Sequence, residues 1–367
     1  MDFVCKIMET TLQQKKTNHT LSAQFIRIFL FVYVYIRAVP QEICFLDSFL
    51  NPLFFFLDGM AFSREENFSK FTFRNLRRFI FPYYFLAILL LMAEISFAPV
   101  EGLMVTPDWF FRRLFFYIGP EVRVYSLWYL PSLFCAEMIV YGIILLSRDN
   151  LKVGFLLNLV VLGLSLVYNH YVHVFLPWSM DTAFIGSFYL YLGYLLVHKK
   201  NDRAYSFLFQ NRGVSFGIAF FLLLFSLFAS QAIFREFSGS YFSGSRANYS
   251  PYLYVIPLTF VGIAGILFLA HAMENAVFVL LGKMTLVILF LEQEIGIKLY
   301  KYFIAVNWYR MLGEDVPFDL RQMGVAFLGV CFIVLISIPV YYLFMETPLC
   351  VIFNKKWVSF RKRKRTA

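Results

Sequence analysis

Charged residues are scarce in this chain. Asp, Glu, Lys and Arg make up 15% of its 367 residues, while hydrophobic residues reach 60%. A soluble domain carries roughly 25% charged residues. The apolar surplus has no single core to hide in, because apolar runs recur from residue 22 to residue 345. That excludes a soluble globular domain and makes lipid the solvent for those runs. Cysteine is also sparse: Cys5, Cys44, Cys135, Cys331 and Cys350 form no CxxC pair and have no histidine at ligand spacing. A disulfide framework and a zinc site are thereby excluded. His170 and His173 lie one helical turn apart with no third ligand in sequence reach, so no metal is expected. A small-residue cleavage site is missing too. The polar Gln13-Gln14-Lys15-Lys16-Thr17-Asn18 runs directly into the first apolar stretch, which is expected to act as its own insertion signal.

What the chain does have is apolar segments of the length a helix needs to cross about 30 Å of hydrocarbon. They lie at 22–39, 43–63, 79–98, 126–146, 153–170, 181–198, 213–234, 251–273, 277–300 and 323–345. An all-α, polytopic integral membrane protein of about ten transmembrane helices is predicted. A cytoplasmic tail (1–21) precedes the membrane domain (22–346), and a basic cytoplasmic tail (347–367) follows it. With the N-terminus inside, the inner segments carry a threefold excess of Lys and Arg over the outer ones. That bias places both termini in the cytoplasm and the protein in the inner or plasma membrane. The net charge of +10 is thus an inner-face anchor set that meets anionic headgroups, and no nucleic-acid partner is needed to explain it. The wealth of Phe (47) and Tyr (23) predicts helices packed on bulky rings rather than on small-residue seams. Residues 104–125 read as an aromatic, basic helix in the outer interface.

Ionisable groups inside spans are expensive, so they are functional candidates. Arg37 stands near the outer end of the first span, Asp58 in the second, and Glu292 and Glu294 in the ninth; Asp181 opens the sixth. Asp181 also suits a helix start, and Arg37 also suits snorkelling to headgroups. Arg74, Arg77 and Arg78 cluster in an inner loop, with Arg74 and Arg77 sharing a face if it is helical. Guanidiniums there suit the phosphates of a nucleotide-type cofactor, and they equally satisfy the positive-inside rule.

Several stretches together resemble the acyltransferase-3 family of membrane acyltransferases. Asn51-Pro52-Leu53-Phe54-Phe55-Phe56-Leu57-Asp58-Gly59 resembles its Pro-Leu-Phe-Phe-Phe-x-Ser-Gly element, followed by RxxR (Arg74, Arg77) and Pro82. Leu127-Trp128-Tyr129-Leu130 resembles its Leu-Trp-Phe-Leu element, and the stretch from Asp181 to Tyr194 the one after it. Gly282-Lys283-Met284-Thr285-Leu286 through Glu292, and Glu346-Thr347-Pro348, resemble the last two. The resemblance implies transfer of an acyl group from a cytoplasmic acyl-CoA, commonly acetyl-CoA, to a hydroxyl of a glycan or lipid at the outer side. No permanently bound cofactor is implied. It assigns Arg74, Arg77 and Arg78 to the donor, and Trp128 and Asp181 to substrate.

The chain departs from the family where the chemistry matters. Val34-Tyr35-Ile36-Arg37 stands where the family reads Val-x-x-His, and Glu292 replaces the late His. Arginine does not act as a base, since it stays protonated; a carboxylate in an apolar span does. Glu292 or Glu294 is therefore expected to move the proton, Arg37 to stabilise an oxyanion, and Arg37 and Glu292 to face each other as an ion pair. Two alternatives stay open: a member of the family that binds without catalysing, and a glycan or lipid transporter.

Overall fold

The computed structural model describes residues 17–33, 45–63, 67–101, 110, 114, 125–172, 176–198, 211–236, 252–292, 296–300 and 318–352. They are helical, with no strand among them. In chain order the helices are α1 (17–33), α2 (Phe45–Ala61), α3 (Phe68–Asn75), α4 (Phe81–Glu101), α5 (Tyr129–Leu146), α6 (Leu151–Tyr171) and α7 (Met180–His198). Then come α8 (Arg212–Glu236), α9 (Tyr252–Ala272), α10 (Ala276–Lys283), α11 (Thr285–Leu291), α12 (Ile297–Tyr300) and α13 (Phe318–Glu346). Among the described residues seven helices are long and apolar enough to cross a membrane, and Phe49–Ala61 is a shorter apolar one. The helical interface segment expected over 104–125 falls almost entirely outside the described residues.

Asparagines start four of these helices. Asn67, Asn150 and Asn275 cap α3, α6 and α10 with the side-chain oxygen accepting from backbone N–H groups, and Asn211 accepts from Gly213 N at 2.9 Å before α8. The first four N–H groups of a helix have no partner within it, and an Asx side chain supplies one. In two places the local structure departs from the expected helices. α1 begins by residue 17, earlier than the expected 22, and His19 is buried there with Nε2 2.8 Å from the Leu267 carbonyl oxygen of α9. The ninth apolar run, expected as one helix over 277–300, breaks at Met284 between α10 and α11.

The core forms where α2 runs along α7, with α5, α6 and α9 around them, and α8 packs along α9 at the periphery. Aromatic rings fill much of it, as expected: Phe71 stacks on Tyr141 at 4.1 Å and Phe54 on Tyr129 at 4.2 Å. The expectation that small-residue seams are absent fails at α2–α7. A Cβ on Gly59 would strike the Leu190 carbonyl, and one on Gly193 the Phe56 carbonyl. Backbone meets backbone there, as small residues allow in membrane bundles. A similar approach of Gly282 to the Leu21 backbone seats the end of α10 against α1.

Candidate active site

Two sequence features bring charge into this core. The first is a π-helical turn, Leu76–Ile80, between α3 and α4. A wider turn changes which side chains face inward, and such turns recur at functional sites. Here Arg78 points to the core, while Arg77 is exposed beside Phe73, its Cζ 4.4 Å from the ring centroid. Arg74 turns back to the end of α2, donating to Ser63 Oγ at 3.1 Å and to the Ser63 carbonyl at 2.6 Å. Of the three arginines, Arg78 thus meets the core, Arg74 bonds to Ser63 and Arg77 is exposed.

The second feature is a pair of carboxylates on separate helices. Arg78 reaches Asp58 Oδ1 of α2 at 3.0 Å and Glu137 Oε1 of α5 at 3.2 Å. The Arg78 side chain is 37% exposed, Asp58 10% and Glu137 1%, so the pair closes on the protein side of the guanidinium. Asn75 Nδ2 donates to Glu137 Oε2 at 2.7 Å, and the Tyr129 hydroxyl donates to Asp58 Oδ2 at 2.6 Å. Buried charge survives only when it is paired and hydrogen-bonded, and this network meets both conditions.

Arg27 adds a second buried cation. It is fully enclosed in α1, its Nε donates to the Leu50 carbonyl at 2.9 Å, and its guanidinium lies against the Phe54 and Phe31 rings. Among the described residues neither of its terminal nitrogens finds a hydrogen-bond partner. It lies within electrostatic reach of Asp58, Tyr129 and Glu292. Glu292, wholly buried, ends α11. Arg37 and Glu294 lie outside the described residues, so the expected Arg37–Glu292 pair does too.

A cavity of about 290 Å³ opens beside this cluster. Asp58, Arg78, Tyr129, Gln24, Lys283 and Thr285 are among its lining residues. The break at Met284 places Lys283 and Thr285 there, with Thr285 Oγ1 donating to the Gly282 carbonyl at 2.8 Å. Arg74, Arg77 and Glu292 are not among its lining residues. Trp128 is buried at the start of α5, edge-on to Tyr129 at 6.2 Å. Asp181 is buried in the first turn of α7, the favourable dipole end for a negative charge. Just before it, Trp178 and Ser179 take left-handed backbone conformations (φ 58° and 51°), and Ser132 of α5 donates to the Ser179 carbonyl at 3.3 Å. Among the described residues no three His, Cys, Asp or Glu side chains gather as a metal site requires.

The family model described as an acyltransferase domain (acyltransferase-3) matches residues 16–344. The chain belongs to this family. As an acyltransferase-3 protein it is a membrane acyltransferase by family, and its apolar helices place it in a bilayer. Among curated proteins and among solved structures, none matches the chain. Sequence reasoning passed over Arg27, Glu137 and Tyr129. Arg27 was legible as a lone cation between Phe25 and Tyr35, and Glu137 as a lone carboxylate in the fourth span. Tyr129 sits inside the Leu-Trp-Tyr-Leu element but gives no signal until Asp58 is seen opposite it.

Proposed function

We propose that this acyltransferase-3 protein is an O-acyltransferase. It moves an acyl group, acetyl in the simplest case, from cytoplasmic acyl-CoA to a hydroxyl of a surface glycan or its lipid-linked precursor. In this reading about ten helices cross the cell membrane, with both termini in the cytoplasm. The observation that carries it is the cavity, which sets cationic Arg78 and exposed Lys283 beside a buried carboxylate–phenol pair. Cations at a cavity mouth suit the phosphates of a CoA donor. The Asp58–Tyr129 pair beside them is hydrogen-bonded and fixed, as a group must be to act on a reacting bond without reorganising.

The arginines divide the work differently from the expected RxxR pair. Arg78 is held by two carboxylates and orders the site, while Lys283 is the exposed cation of the cavity for the donor. Trp128 and Asp181, at the starts of α5 and α7, form the acceptor side of the reading. Arg27 is a described cation within electrostatic reach of Glu292 and Asp58, where it would steady negative charge. The test is incubation of the purified protein in lipid nanodiscs with radiolabelled acetyl-CoA, with and without oligosaccharide. Label is expected in the carbohydrate as a base-labile ester. Protein that binds carbohydrate and leaves acetyl-CoA intact would favour the binding-only member of the family instead.

A further inference from the structure

The cavity selects among the carboxylates of this core. Asp58 is the one among its described lining residues; Glu137 and Glu292 are buried beyond it, at 1% and 0% exposure. Neutralising Arg78 does not by itself require Asp58, since Glu137 already contacts the same guanidinium. What distinguishes Asp58 is the way it is held. Arg78 binds one of its oxygens and the Tyr129 hydroxyl the other. The Tyr129 ring is fixed by stacking on Phe54 at 4.2 Å and by an edge contact with Phe55 at 5.3 Å. A carboxylate has about four lone-pair sites, so each oxygen keeps capacity for a hydroxyl arriving from the cavity.

We propose that Asp58 is the proton acceptor of acyl transfer, with Tyr129 and Arg78 as the residues that position it. This rests on the O-acyltransferase reading above. The acceptor hydroxyl, hydrogen-bonded to Asp58, attacks the thioester carbonyl carbon as its proton passes to the carboxylate. A C–O bond forms, the C–S bond breaks, and the departing thiolate takes the proton back from Asp58. The products are the ester and the free thiol, and Asp58 returns to its starting state. The titratable and charged groups facing Asp58 are Arg78 from the π turn, the neutral Tyr129 phenol and Glu137 from α5, and Arg27 from α1, and Lys283 of α10 shares its cavity.

The test compares wild type, Asp58→Asn and Asp58→Glu in lipid nanodiscs. The full chain is supplied with acetyl-CoA and an oligosaccharide, and free thiol and labelled ester are followed together. Asn is nearly isosteric with Asp, and acetyl-CoA binding to each variant is measured on the same preparation. Asp58→Asn is expected to lower kcat at least about 10²-fold while KM and acetyl-CoA binding stay within about threefold, the pattern of a lost general base. Asp58→Glu, which keeps a carboxylate, is expected to regain at least about a tenth of the wild-type rate. The proposal is overturned if Asp58→Asn turns over like wild type, if Asn and Glu lose activity equally, or if acetyl-CoA binding is lost with turnover. A wild type that releases no thiol overturns the O-acyltransferase reading itself, which separates the two failures.

Discussion

Replacing Gly193 by alanine sets the packing of α2 on α7 directly against the chemistry, because α2 carries Asp58 next to Gly59. A Cβ at Gly193 would overlap the Phe56 carbonyl oxygen and approach Met60 N at 3.0 Å. Non-bonded carbon contacts settle at roughly 3.5 Å, so the two helices would have to part by more than about an ångström. Both obstructing groups are backbone, and no side chain can rotate away. Over-packing of this kind costs about 1–3 kcal/mol, and the backbone obstruction puts Gly193→Ala at the upper end. At about 2 °C per kcal/mol for a chain of this size, the thermal midpoint in detergent is expected to fall by about 5 °C. Gly163, on α6, is the internal control, since a Cβ there meets nothing within 4 Å. Alanine at that position is expected to be neutral or to stabilise by up to about 1 kcal/mol through helix propensity. Parting α2 from α7 also draws Asp58 off the Tyr129 hydroxyl, so Gly193→Ala is expected to lose transfer activity at temperatures where it remains folded. Thermal scanning of the two variants in parallel decides the matter. Equal midpoints for Gly193→Ala and Gly163→Ala would refute the seam.

The other expected outcomes concern charge and capping. Glu137→Leu strips one carboxylate from Arg78 and leaves Asn75 Nδ2 without its acceptor. With hydrogen bonds to charged groups worth about 1.5–3 kcal/mol each, and Arg78 retaining Asp58 and partial hydration, a loss of about 3 kcal/mol is expected in a reversible unfolding assay. Arg27→Met removes a fully buried cation within electrostatic reach of Glu292 and Asp58, and the buried carboxylates left without it are expected to lower the unfolding midpoint. Adding Glu292→Gln to it is expected to return part of that loss in a double-mutant cycle; strictly additive losses would mean that Arg27 and Glu292 are not coupled. Asn150→Ala removes the cap that Lys152 N and Val153 N share, for about 1 kcal/mol, read as a lowered midpoint with transfer activity intact.

Much of the helical fold was legible because lipid imposes one rule: long apolar runs must close their own hydrogen bonds. The helices from α4 to α9 begin and end within a few residues of their apolar stretches for that reason. The break at Met284 was not legible, since nothing in Gly282-Lys283-Met284-Thr285 lowers hydropathy enough to interrupt the run. The α2–α7 seam was hidden for a related reason: a glycine shows that close approach is possible, never which helix approaches. At the site, Asp58 and Glu292 stood out as carboxylates in apolar surroundings, and both proved buried. Arg78 could not be told from Arg77 by counting, because α-helical spacing fails across a π turn. Tyr129 was invisible as a partner because its role depends on a contact 71 residues away. Arg27 is a different case, since an intramembrane arginine is conspicuous on physical grounds alone.

The most direct measurement is vectorial transfer in sealed proteoliposomes, with the protein oriented so that the Lys283 side faces a known compartment. Radiolabelled acetyl-CoA is supplied on that side alone, and oligosaccharide on the other. The account requires labelled ester on the oligosaccharide side, dependent on wild-type Asp58 and absent when donor and acceptor are exchanged. Folded protein that leaves acetyl-CoA intact in both arrangements would contradict it.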